Sequence, residues 1–65
     1  MILKDGTHWE PSDEDILAWQ QSYVDLDIFA ELGAMDSWCD ANPSKRKTMK
    51  GIKRFVNAWL NRARE

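Results

Sequence analysis

The sequence predicts a mainly α-helical fold, a small three-helix domain with a short N-terminal β-hairpin, and three observations carry it. Apolar residues recur at three- and four-residue spacing in three separate stretches. Each stretch is bounded by residues that cap or stop helices. The first ten residues instead place Asp5-Gly6 between two short segments, Ile2-Leu3-Lys4 and Thr7-His8-Trp9.

Asp-Gly between such segments is the signal of a two-residue type I′ turn, so residues 1–10 are expected to form a hairpin. Two strands alone are not stable in water. The hairpin must dock on the helices, with Ile2, Leu3 or Trp9 as its contacts.

The first helix is expected over residues 12–23. Ser12 is placed to cap its free amides, and Asp13, Glu14 and Asp15 in the first turn complement the positive end of the macrodipole. Ile16, Trp19 and Tyr23 then define one buried stripe, flanked by Leu17. The second helix spans residues 26–42 with Asp25 or Asp27 as its cap. Ile28, Leu32, Met35 and Cys39 form its apolar face, flanked by Phe29 and Trp38. Gly33 in mid-helix costs about 1 kcal/mol relative to Ala, a cost often accepted where a neighbouring helix approaches closely. Asn42-Pro43 ends the helix, because a residue before proline avoids the α region.

Thr48 is the expected cap of a third helix over residues 48–64. At about 100° per residue, Ile52, Phe55, Val56, Trp59 and Ala63 share one arc, with Leu60 at its edge. Lys50, Lys53, Arg54, Asn57, Asn61 and Arg64 share the opposite arc. This is the cleanest amphipathic pattern in the chain.

At 65 residues the chain is read as one domain. A domain this small hides only about 60% of the surface of its unfolded form, so its core needs large side chains. The four tryptophans are therefore core candidates first and ligand platforms second, with Trp9 and Trp19 the two that suit a stacking role. Cys39 is the single cysteine, which excludes an internal disulfide, and no Cys/His cluster has the spacing of a zinc site. No apolar run approaches the roughly 18–20 residues that span a bilayer. The N-terminus lacks a signal-peptide pattern. The chain reads as cytoplasmic, with no cofactor and no membrane partner. One His, one Cys and scattered carboxylates show no catalytic spacing, and Asp13-Glu14-Asp15 lacks the further ligands of a calcium loop. The expectation is a binding module and not an enzyme.

Charge is the most informative feature. Residues 1–40 hold one base, Lys4, against ten acids, a net charge of −9; residues 41–65 hold eight bases against one acid, a net charge of +7. Such asymmetry points to a polyanionic partner for the basic end, unless the two halves pair with each other in the fold. Lys45, Arg46, Lys47, Lys50, Lys53 and Arg54 are the expected phosphate contacts, gaining affinity by counterion release, and Asn57 extends them with a neutral donor and acceptor.

The segment Trp38-Cys39-Asp40-Ala41-Asn42-Pro43-Ser44-Lys45-Arg46-Lys47-Thr48 continues through Gly51-Ile52-Lys53-Arg54-Phe55-Val56-Asn57 to Trp59-Leu60-Asn61-Arg62. It resembles the C-terminal segment of phage and prophage replication proteins, the replisome organisers and helicase-loader-like initiators. In them a pattern close to W-L-x-A-N-P-x-x-R-K-T-x-x-G-I-x-R-F-x-x-x-W-L-x-R closes the chain. Upstream, Asp5-Gly6, Trp9-Glu10-Pro11, Trp19, Tyr23, Asp25, Asp27 and Glu31-Leu32 also fit. More distantly the chain is similar to the C-terminal domain of the primosomal protein DnaT. The resemblance implies a role in DNA replication in a bacterial host cell, with DNA as the partner, single-stranded in preference to duplex. It also implies contact with a replicative helicase or another host protein. It nominates the six cations of residues 45–54 as the contact surface, and Phe55 and Trp59 as scaffold. Family members carry this segment behind an N-terminal domain, so the chain is expected to be a free-standing small phage protein or a fragment of a longer one. The alternative is a protein-interaction module or inhibitor directed at a host replication or defence protein.

Overall fold

The computed structural model describes all of residues 1–65. It is mainly α-helical, with α1 at Asp13–Ser22, α2 at Ile28–Ala41, a 3₁₀ turn at Pro43–Lys45 and α3 at Ile52–Arg64.

Each boundary has a local cause. The Ser12 hydroxyl accepts from the Asp15 amide at 3.1 Å while the Asp15 carboxylate accepts from the Ser12 amide at 3.4 Å, a reciprocal capping box. Of the two aspartates expected to cap α2, Asp27 does so, accepting from the Ala30 amide at 3.1 Å. At the other end the Asn42 side chain donates to the Trp38 carbonyl at 2.8 Å, and Pro43 opens the 3₁₀ turn.

Two expected elements do not form as read. The N-terminal hairpin does not form: residues 1–9 contain no strand, only an isolated antiparallel bridge between Ile2 and His8. A type I′ turn needs positive φ at both central residues, and here Gly6 alone has one (φ 86°). The Gly6 amide donates to the Leu3 carbonyl and the Leu3 amide to the Thr7 carbonyl, so the reversal runs through three residues, Lys4 to Gly6. Asp5 holds it by accepting from both the hydroxyl (2.6 Å) and the amide (3.0 Å) of Thr7. Those two bonds, the hydroxyl's first, draw the Asp5 carboxyl below its ordinary value. The Lys4 amide then leaves this segment and donates to the Lys47 carbonyl at 2.9 Å.

Second, Thr48 does not start α3. Its carbonyl and hydroxyl both accept from the Gly51 amide, at 3.1 and 3.2 Å, which closes a tight turn. The first helical bond is Phe55 to Gly51, so α3 begins at Ile52. No neighbour approaches Gly33: a Cβ built there meets nothing within 4 Å.

The core is a single cluster in which Met35, Cys39, Ile52, Val56 and Leu60 are completely buried, with Leu3 and Ile28 nearly so. Ile52, Val56 and Leu60 lie at i, i+4 and i+8, which makes Leu60 central to the stripe and not its edge, while Ala63 in the last turn is exposed. Burial pushes the Cys39 thiol above its ordinary range, as expected for an inert core cysteine. Phe29 and Leu17, expected to flank buried stripes, are exposed. On the flank of the α2–α3 contact the Trp38 and Phe55 rings lie 5.4 Å apart, and Phe55 meets Trp59 edge-on at 5.9 Å. The Trp59 indole donates to Glu31 at 3.1 Å. No helix is long and apolar enough to cross a membrane.

Candidate nucleic-acid interface

Helix α3 presents three strips. The buried one, Ile52, Val56 and Leu60, faces the core. An inner polar strip, Lys53, Asn57, Asn61 and Arg64, faces α1. There Lys53 pairs with Asp15 at 3.2 Å, Asn57 accepts from the Trp19 indole at 3.2 Å, and Asn61 accepts from the Tyr23 hydroxyl at 3.1 Å. The three rungs share one offset of 38 residues, so α1 and α3 run parallel and each four-residue step on one helix meets a four-residue step on the other. The Arg64 guanidinium closes the strip by lying 4.7 Å from the centre of the Tyr23 ring.

The third strip faces outward. Lys47, Gly51, Arg54, Phe55, Ala58 and Arg62 line an open groove of about 430 Å³. The Lys47 ammonium sits over the Trp38 and Phe55 rings, at 5.8 and 5.4 Å, which positions that cation at the groove wall. Arg54 and Arg62 are exposed, as are Lys45 and Lys50 in the connection before the helix. None of these four has a carboxylate partner: Lys53–Asp15 is the single ion pair between side chains in the molecule. The two oppositely charged halves therefore do not cancel each other by contact, and the asymmetry survives folding.

The nominated residues divide accordingly. Lys47 and Arg54 line the outward groove, and Lys45 and Lys50 stand exposed in the loop before the helix. Arg46 does neither: its guanidinium donates to the carbonyls of Cys39 (2.9 Å) and Asp40 (3.3 Å). Helix α2 has no base in its last turn, and Arg46 supplies the positive charge that its C-terminal end attracts. Lys53 and Asn57 are engaged on α1, as above. Neither stacking candidate stands beside the free cations. Trp19 is buried, 7% exposed, with its indole N–H already used by Asn57. Trp9 is half-buried in a groove of about 270 Å³ that also holds Glu10 and Asp36, the latter paired with the N-terminal ammonium at 3.6 Å, and no lysine or arginine. No three His, Cys, Asp or Glu side chains come together as a metal ion requires.

Of the residues outside the nominated set, one lies on this surface and the backbone of another lies beside it. Arg62 lies on the groove, and its signal was present in sequence as Arg54, Ala58 and Arg62 at i, i+4 and i+8. Lys4, the acidic half's one base, is brought alongside the basic loop by its amide bond to Lys47, a tertiary contact with no sequence signal.

No protein-family model matches the chain, no curated protein matches it, and no solved structure matches it. The interface is read from its own geometry.

Proposed function

We propose that this chain is a binding module of phage-type DNA replication, acting in the host cytoplasm, that grips the phosphate backbone of DNA with little sequence preference. Single-stranded DNA is favoured on the resemblance alone, since neither Trp9 nor Trp19 stands beside the cations as a stacking platform. The observation that carries the reading is the groove on α3 lined by Lys47, Arg54, Phe55 and Arg62, with Lys45 and Lys50 exposed in the loop before the helix, none of these cations being paired with a carboxylate. Free cations on one side of a small protein are the footprint of a polyanion partner, because each neutralised phosphate releases condensed counterions. The resemblance of residues 38–62 to phage replication proteins supplies the replication context.

Anisotropy of a labelled mixed-sequence oligonucleotide tests this. About four phosphate contacts to a single strand give a log-affinity against log-salt slope of about −3. The reversal R54E/R62E lowers affinity at least tenfold at low salt and leaves the helical circular dichroism intact. Undiminished binding by that variant removes the surface from the account.

One observation favours a second reading. The groove containing Trp9, Pro11, Ile16 and Leu32 is partly apolar and has the Glu10 carboxylate on its rim, with Asp36 already paired to the N-terminal ammonium, which suits an apolar segment of a host protein carrying a single base. Failure of the wild-type chain to bind DNA even at low salt would move the protein to that class.

A further inference from the structure

The inner strip of α3 is covered by α1, and the two ends of that cover differ in kind. No Cα of α1 comes within 8 Å of one in α3, so only side chains span the gap. At the far end the span is made by Trp19 and Tyr23, which are buried core members. At the near end it is Lys53 with Asp15, whose side chains are 59% and 25% exposed. A pair this open to solvent adds little stability and exchanges partners readily. Asp15 nonetheless offers Lys53 both carboxylate oxygens, at 3.3 and 3.2 Å, the charge and paired oxygens that a phosphodiester offers. Lys53 is adjacent in sequence to Arg54 and three residues from Lys50, both free.

Resting on the DNA-binding reading above, we infer that Asp15 is an internal phosphate mimic: it holds Lys53 out of the cationic surface until a nucleic-acid phosphate displaces it. The first turn of α1 is thus a built-in competitor that lowers affinity for polyanions. Asp13 and Glu14 are exposed on the same turn and paired with no base, so the competition rests on Asp15 alone. The buried Trp19 and Tyr23 rungs keep the rest of α1 in place, so the exchange is confined to one lysine.

The test compares D15N with E14Q, which removes the same charge one residue away from an acid that faces no base. The amide oxygen of D15N still accepts from Ser12, so the helix cap persists. With a labelled single-stranded oligonucleotide, D15N binds about two- to fivefold tighter than E14Q. Its salt slope steepens by about 0.7, the contribution of one added phosphate contact. Adding K53A to D15N abolishes the gain. Equal affinities for D15N and E14Q, or a gain that persists without Lys53, overturn the inference while wild-type binding stands. Absence of binding by both wild type and D15N at low salt overturns this inference and the DNA-binding reading together.

Discussion

The inner and outer polar strips of α3 are built from the same kinds of residue on the same helix, yet the fold consumes one and leaves the other open. Lys53, Asn57, Asn61 and Arg64 each find a partner on α1, whereas Arg54 and Arg62 find none. What separates them is the residue α1 supplies at the matching step: an acid opposite a lysine, an indole and a phenol opposite two amides. A cation's availability is therefore set by the tertiary neighbour its helix face meets and not by residue type. Asn57 and Asn61, which look like an extension of a binding surface, act as acceptors that let Trp19 and Tyr23 be buried with their polar atoms satisfied.

The largest effect that separates the strips is on stability. W19A empties a core position and removes the middle rung, and costs about 3–5 kcal/mol in denaturant unfolding. R54E on the outer strip shifts stability by no more than about 0.5 kcal/mol, because the side chain is solvated and unpaired. An equal cost for the two would erase the distinction.

N57A is the next step down. It leaves the Trp19 indole N–H without its acceptor at a partly buried site, and destabilises by about 1–2 kcal/mol while leaving oligonucleotide affinity unchanged. A loss of affinity with no loss of stability would return Asn57 to the binding surface.

Acid produces the smallest effect. At Asp15, partial desolvation pushes the carboxyl upward, but hydrogen bonds from Lys53 and Ser12 and the charge of Lys53 outweigh it, and the net shift is downward. Asp5 is lowered in the same direction by Thr7. A carboxyl whose folded pKa lies below its unfolded one stabilises the fold above the unfolded value and ceases to do so as pH falls through the folded value. The melting midpoint is expected to be flat with respect to these groups down to the ordinary aspartate value of 3.8 and to decline below it. D15N removes part of that decline. A midpoint that rises on acidification below that value would contradict the assignment.

How much of this was legible beforehand depends on the range of the interaction. Ser12, Asp27 and the Asn42-Pro43 stop act within four residues and were readable, as was the placing of Ile52 and Val56 on the buried arc. Asp5-Gly6 misled because a two-residue turn needs the aspartate at positive φ, and the Thr7 bonds hold a three-residue reversal instead. Thr48 misled because its hydroxyl serves a tight turn as readily as a helix cap. For the candidate site, charge alone nominates Lys45, Lys47, Lys50 and Arg54, which the fold leaves without a carboxylate partner. Arg46, Lys53, Asn57 and Trp19 could not be told from them, since their partners lie 7 or 38 residues away, and periodicity carries no information at that distance.

The central claim is that the outward side of α3 is the free, phosphate-binding one. Titrating the ¹⁵N-labelled protein with a short single-stranded oligonucleotide and following backbone amide shifts tests it residue by residue. The account predicts that Lys50, Gly51, Arg54, Ala58 and Arg62 move together and saturably while Asn57 and Asn61 stay still. Shifts centred on Asn57 and Asn61, or on Trp9, Leu32 and Gly33 of the acid-rimmed groove, would contradict it.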